Sequence, residues 1–365
     1  MKRWPTKPLL EICNPKQWPT ISSAEMTESG FPVYGANGQI GYYHSYNHDE
    51  PTILITCRGA TCGTLNISPP HTYVTGNAMA LDNPKPEIIN FKFLFYALLN
   101  RGLDDIITGA AQPQITRANL SRVGVSSPSL ADQERIVRLL DEADELRKLR
   151  AQADHRTTDF IPALFHDMFG DAAANCKAAT IEDAVERFID YRGKTPEKSA
   201  SGVPLVTAKI VKGGSILPPT EFIPEESYDA WMRRGLPRAG DVLFTMEAPL
   251  GEVAMVQNTR VALAQRILLM RPRCNLLDSR YFMTALKMPS AWKQIEKRAT
   301  GSTVRGIRQA ELRKVQLPIP PLALQKEFAA RVAEIRAMEA EQAVSRRRMN
   351  DLFQSLLHRA FNGEL

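Results

Sequence analysis

"TGAAQPQITRANL" occupies Thr108–Leu120, and "TGSTVRGIRQAEL" occupies Thr300–Leu312. The two stretches lie 192 residues apart, and the same offset continues without a gap. Ile115 matches Ile307, Leu120 matches Leu312, Val123 matches Val315 and Pro128 matches Pro320. Leu130 and Leu322, Gln133 and Gln325, Arg156 and Arg348, Asp159 and Asp351, His166 and His358, and Phe169 and Phe361 keep the register. A repeat at fixed period dictates architecture, and a domain-sized period means a duplication, not a solenoid. Upstream the correspondence weakens: "ILIT" (Ile53–Thr56) resembles "VLFT" (Val242–Thr245) at an offset of 189, and "FLFYAL" (Phe93–Leu98) resembles "YFMTAL" (Tyr281–Leu286) at 188. Each half thus has a divergent front, suited to separate binding specificities, and a preserved back, suited to one scaffold or partner.

The preserved back has the pattern of a long helix. Ser129 is placed as an N-cap with Asp132 at the third helical position, a variant of the capping box. Ile136, Leu139, Ala143, Leu146, Ala153, Phe160 and Leu164 fall on an a/d stripe, interrupted at Arg150 and Thr157. Phe328, Ile335, Met338, Met349, Leu352 and Leu356 stand at equivalent places in the second copy, with polar Arg331, Gln342 and Ser345 among them. A helix of about 35 residues would run on the order of 50 Å. Pro162 is expected to kink or end the first copy, because it lacks an N–H and crowds the preceding turn; Gln354 stands there in the second. The simplest packing lays the two helices side by side with a head at each end. The alternative is two helical hairpins that pack only on their own heads.

The fronts read as mixed α/β. "PTILITCRG" and "GDVLFT" are buried strands bounded by Pro and Gly. Gly35, Gly38 and Gly41 punctuate "VYGANGQIGYY" as turns, and "FKFLFYALLN" and "SRYFMTALKM" are short helices. The expected fold is therefore α+β: two mixed α/β domains separated by two long antiparallel helices in a coiled-coil-like spacer, with a pseudo-twofold internal repeat. The boundaries expected are 1–127 and 171–319 for the domains, and 128–170 and 320–365 for the helices.

At 365 residues, with 44% hydrophobic and 24% charged residues, the composition is that of a globular protein of about two domains. No apolar run reaches the roughly 18 residues of a membrane span, and "MKRWPTKPLL" has no apolar segment of a secretion signal behind it. A cytoplasmic protein without membrane contact is expected. Of five cysteines only Cys57 and Cys62 are close, and a single C-x4-C is poor ground for zinc.

Catalytic patterns fail on their spacing. "YRGKTP" (Tyr191–Pro196) holds the Gly-Lys-Thr of a phosphate loop, but Phe188 stands where its first glycine is needed. "YGANGQIG" has the wrong glycine spacing for a dinucleotide loop. His44, His48, His71, His155, His166 and His358 form no metal-ligand pattern, and no nucleophile elbow, aminomethyl-transfer signature or nuclease set is present. The expectation is a chain with no catalytic residue, no metal and no cofactor of its own.

What remains is recognition chemistry. The net charge is +6, compatible with a polyanion. The second front carries Arg192, Lys194, Lys209, Lys212, Arg266, Arg305 and Arg308, with Arg233, Arg234, Lys297 and Arg298 nearby in sequence. The first offers Arg58 and Arg117, also Lys92 and Arg101, with the amides Asn37, Gln39, Asn77, Gln112 and Gln114. Arg can fork onto guanine and Asn or Gln onto adenine, while Lys and Arg neutralise phosphates. Taken singly, each is more often a solvated surface group than a base reader. The two repeated loops are better candidates, since small residues there stand beside amides or arginines.

"PTILITCRGATCGTLNI…TGNAMAL", "DYRGKTPEKSASGVPLVTAKIVKGG" with "RAGDVLFTMEAPLGEVAMV", and the helix openings "PSLADQERI" and "PPLALQKEF" together resemble the specificity subunit of Type I restriction–modification systems, along essentially the whole chain. The resemblance implies that each front is a target-recognition domain reading one half of a split double-stranded DNA sequence. It implies that the helices set the gap between halves and dock two methyltransferase subunits. S-adenosylmethionine and adenine methylation would belong to those partners. ATP, Mg2+, translocation and cleavage would belong to restriction subunits, all in a prokaryotic cytoplasm. The alternative function is a two-headed protein-interaction scaffold without sequence-specific DNA binding; a standalone nuclease comes third.

Overall fold

The computed structural model describes residues 4–35, 37–109, 111–157, 159–191, 193 and 195–365, and for 171–175 the backbone alone. The longer helices are α1 (Phe91–Arg101), α2 (Leu130–Thr157), α3 (Phe160–Asn175), α4 (Ser279–Lys287), α5 (Pro289–Arg298) and α6 (Leu322–Phe361). The chain divides into two compact units, Met1–Gln152 with Ala343–Leu365, and Ala153–Gln342. Both divisions fall inside a long helix, α2 and α6, and not in a linker.

The first unit is built on β1 (Asn14–Gln17), β2 (Thr52–Thr56), β3 (Leu65–Ser68) and β4 (Ala78–Asp82), an antiparallel sheet in the order β1-β4-β2-β3. Every residue of β2 is buried, as its unbroken apolar run requires for a central strand. A second sheet has Phe31–Gly35 between Gly38–Tyr43, antiparallel, and Tyr73–Val74, parallel. Thr6–Pro8 pairs with Gly124–Ser126.

The second unit repeats this plan. β5 (Val185–Asp190), β6 (Val242–Thr245), β7 (Val253–Met255) and β8 (Ile267–Pro272) form an antiparallel sheet in the order β5-β8-β6-β7. Val203–Val206 lies between Phe222–Ile223, antiparallel, and Ala262–Leu263, parallel. Ala178–Thr180 pairs with Gln316–Pro318. The second unit also has the hairpin Val211–Lys212 with Ser215–Ile216, and α5. The fronts, divergent in sequence, are one topology twice.

Each long helix is tied to its head by the same buried glutamine. Gln133 Oε1 accepts from the Asn90 N–H at 2.7 Å, while its Nε2 donates to the Ile88 and Pro128 carbonyls. Gln325 Oε1 accepts from the Asp278 N–H at 2.9 Å, and its Nε2 donates to Leu276 and Pro320. Asn90 and Asp278 in turn cap α1 and α4 through side-chain oxygens, so two helix starts share one polar knot. The Ser129 cap forms as expected, its hydroxyl accepting from the Asp132 N–H, while the Asp132 carboxylate closes back on the Ser129 hydroxyl at 2.8 Å, the variant half of the box.

Helix ends are exchanged between the copies. The first core takes Phe353, Leu357 and Ala360 of α6 against Ile136, Val137 and Leu140 of α2. Arg135 donates to the Leu365 carbonyl, whereas Arg147, farther along α2, lies 4.2 Å over the Phe353 ring; the two segments run antiparallel within this unit. In the second unit Phe165 and Phe169 of α3 pack on Tyr281 and Phe328. Phe169 on Tyr281 is the repeat counterpart of Phe361 on Phe93, at ring separations of 5.0 and 5.1 Å. Hairpins that pack only on their own heads are thereby excluded.

The a/d stripe needs correction. Ile136, Ala143 and Phe328 are buried and Leu164, Ile335, Met349 and Leu356 half-buried, but Leu139, Leu146, Phe160, Met338 and Leu352 are exposed. The buried face runs instead through Gln133, Ile136, Val137, Leu140 and Ala143 on α2, and through Phe353, Leu357 and Ala360 on α6. A helix docked on a globular core follows a 3.6-residue period, from which a 3.5-residue stripe drifts. Pro162 acts as expected: α2 ends at Thr157 and α3 begins at Phe160, with Asp159 as N-cap. Pro162 thus falls in a first turn, where its missing N–H is no loss. α6 runs unbroken past Gln354.

Candidate nucleic-acid interface

The repeated loop closes in the same way in both units. Thr108 and Gln114 exchange two backbone hydrogen bonds, of 2.9 and 2.8 Å, as do Thr300 and Gly306, of 2.8 and 2.9 Å. Gly109 and Gly301 hold φ of +91° and +104°, and a Cβ on either would strike a carbonyl within the loop, that of Gln112 or Val304. Glycine is therefore required at both. The following isoleucine anchors the loop to the end of the central strand: the Ile115 N–H donates to the Cys57 carbonyl and the Ile307 N–H to that of Met246, both at 3.0 Å.

That anchorage sets a second loop beside the first. In the first unit it is the β2–β3 turn, with Arg58 bridged to Gln114 and the Gly59 N–H donating to Pro113. In the second it is the β6–β7 turn, with Glu247 bridged to Gly306. Gly63 and Gly251 end these turns at φ of +92° and +85°, and their N–H groups donate to Thr56 and Thr245 at the same 2.8 Å. Each head thus presents two loops side by side, held by the same anchoring backbone hydrogen bonds in both units and carrying different side chains.

In the first unit Arg58, Gln112 and Gln114 are exposed on this platform. Thr61 joins Asn37 to it, its hydroxyl donating to Asn37 Oδ1 at 2.8 Å, and Gln39 lies two residues along the same hairpin. Asn77 is exposed beside it, its carbonyl accepting from Cys57 Sγ. Arg117 is apart, donating to Asn14 Oδ1 and the Pro15 carbonyl at the start of β1. Lys92 pairs with Asp141 and Arg101 with Asp105, so both serve the fold. Burial pushes the Cys57 and Cys62 thiols up from their ordinary range, so both are protonated and weakly nucleophilic near neutral pH.

In the second unit Arg266 Nε lies 3.3 Å from Glu247 Oε1. Arg266 and Lys209 line one cavity of about 170 Å³ with Ala248 of the turn. Arg305 donates to the Glu296 carbonyl at 3.3 Å, and Arg308 stands at the N-cap position of the following helical turn with no capping bond from its side chain; both are exposed. Lys212 sits on the extra hairpin, against the β7 side. Arg192 and Lys194 lie outside the described residues. Thr61 and Glu247 escaped the sequence-based set, although the 189-residue offset places Glu247 opposite Arg58. Among the described residues no group of three or more His, Cys, Asp or Glu could hold a metal ion, and no helix is long and apolar enough to cross a membrane.

The Type I restriction modification DNA specificity domain family matches residues 1–154 and 233–342, and the chain belongs to this family. The type I restriction enzyme EcoprrI specificity subunit of Escherichia coli is 30% identical over 116 residues, 32% of this chain. That match spans 28% of the relative's length, and a second, in a protein of Haemophilus influenzae at 28% identity, spans 36%. In fold, the chain is similar to the crystal structure of the Type-I restriction-modification system S subunit from M. genitalium, with a TM-score of 0.62 at 14% identity over 98% of this chain and 96% of that one. A structure described as the structural basis underlying complex assembly and conformational transition of the type I R-M system gives 0.60 at 18% identity, covering 100% and 98%.

Proposed function

We propose that this chain is the DNA-specificity subunit of a Type I restriction–modification complex, working in the prokaryotic cytoplasm. Each unit reads one half of a bipartite duplex site through its two-loop platform. Helices α2, α3 and α6 act as the antiparallel, coiled-coil-like spacer that fixes the gap between half-sites, and they dock two methyltransferase subunits. The chain does no chemistry and binds no cofactor; S-adenosylmethionine belongs to the methyltransferase partners, and ATP and Mg2+ to the restriction subunits. The observation that carries this is one hydrogen-bonded platform built twice, with conserved anchors and exposed side chains that differ between copies. Exposed Leu139, Leu146, Met338 and Leu352 suit a helix surface that a partner covers. The domain boundaries proposed remain 1–127, 128–170, 171–319 and 320–365.

Footprinting of the chain together with its methyltransferase partner tests the proposal. Two protected half-sites separated by an unprotected gap are expected, with affinity falling steeply as salt rises, because bound Lys and Arg release counterions. Absent or salt-insensitive binding would favour the protein-interaction scaffold.

A further inference from the structure

Positions 58 and 247 are the same place in the two units. Arg58 follows Thr56–Cys57 at the end of β2, Glu247 follows Thr245–Met246 at the end of β6, and each faces the repeated loop across an antiparallel bridge, to Gln114 or Gly306. Residues opposed in this way send their side chains to one face. In the first unit an exposed guanidinium therefore stands beside an exposed amide, and Arg58 has no side-chain hydrogen bond or ion pair among the described residues. In the second the opposing residue has no side chain. A Cβ on Gly306 would come within 3.1 Å of Glu247 Cβ and 3.3 Å of its Oε2, so the carboxylate lies across the glycine. Arg266 steadies it from the other oxygen at 3.3 Å.

Resting on the DNA-reading function above, we infer that this position reads one base in each half-site, and a different base in each: Arg58 a guanine, Glu247 a cytosine. A guanidinium fork matches the O6 and N7 acceptors of guanine. A carboxylate is repelled by that edge and accepts from the N4 amino group of cytosine. Arg58 breaks no ion pair on reaching the groove, and Gln114 beside it offers a donor and an acceptor to the adjoining base pair. The Glu247–Arg266 pair is exposed and therefore weak; it orients the carboxylate without withholding it. A duplicated backbone with opposite charge at one matched position gives two half-sites of unlike sequence from one fold.

The test uses the full chain with its methyltransferase partner, in wild-type, Arg58→Ala and Glu247→Gln forms. The adenine-methylation motif is mapped for wild type. Each form is then titrated with the wild-type duplex and with duplexes altered at one base pair. Arg58→Ala is expected to lose about 5- to 150-fold of the preference for guanine at one position of one half-site, with the other half unchanged. Glu247→Gln is expected to lose preference for cytosine in the other half only. Arg58 is exposed, and half-buried Glu247 makes only a surface ion pair that Gln can replace with a hydrogen bond, so melting temperatures should move little in either variant. An unchanged preference in Arg58→Ala overturns the inference, as does an equal loss on every duplex, which marks a phosphate contact. A wild-type complex with no bipartite motif at all overturns the DNA-reading function itself, and this assignment falls with it.

Discussion

Gln133 and Gln325 are each fully buried on the apolar face of a long helix, where a polar side chain is tolerated only with its hydrogen bonds complete. Each satisfies one N–H and two carbonyls drawn from two other segments. Gln133→Leu leaves those three groups unpaired out of water, at a cost of about 2–4 kcal/mol in unfolding free energy. Gln133→Glu keeps the acceptor for Asn90 but sets a carboxylate against two carbonyls, and should be no milder. Denaturant titration checks both; a change under about 0.5 kcal/mol would mean the knot is slack. The pairing of Gln133 with Gln325 was visible in the sequence, but their burial was not, because the partners Ile88 and Asn90 lie 45 and 43 residues away. The Ser129–Asp132 cap was legible, since both halves of it lie within one turn. Arg58 is legible in the sequence as a cation and Glu247 is not legible as a base reader, because base-reading patterns point to arginine and amides before carboxylates.

Among the elements, the buried central strands announced themselves by unbroken apolar runs, and Pro162 announced the break between α2 and α3. The exchange of helix ends did not. A stripe of apolar residues states that a face is covered, and says nothing of which segment covers it. Leu357 belongs to the second copy of the repeat, yet it sits in the core of the first unit. Leu357→Ala should therefore destabilise the first unit by about 2–5 kcal/mol. Hydrogen exchange should show protection lost in β1–β4 while β5–β8 keep theirs. Loss in β5–β8 first would contradict the exchanged packing. The heptad assignment erred for a related reason: Leu139 and Leu146 are apolar in the stripe, but the core meets α2 along Ile136, Val137 and Leu140.

For the whole molecule, duplication accounts for the matched sheets, the matched polar knots and the matched two-loop platforms, while side chains differ between copies both in the cores, as at Ile55 and Phe244, and on the exposed loops, as at Gln112 and Val304. Under the proposed function the helices fix the distance between half-sites, so their length is a number that DNA can report. Removing one turn from each, residues 149–152 and their repeat equivalents 341–344, shortens a helix by about 6 Å, close to two base pairs of duplex. Mapping adenine methylation in a host that carries this chain and its methyltransferase partner, beside the same host with the turn-deleted chain, tests the account most directly. The prediction is a bipartite motif in the first case, and the same two half-sites with a gap shorter by about two base pairs in the second. A contiguous motif, or altered half-sites with an unchanged gap, would contradict it.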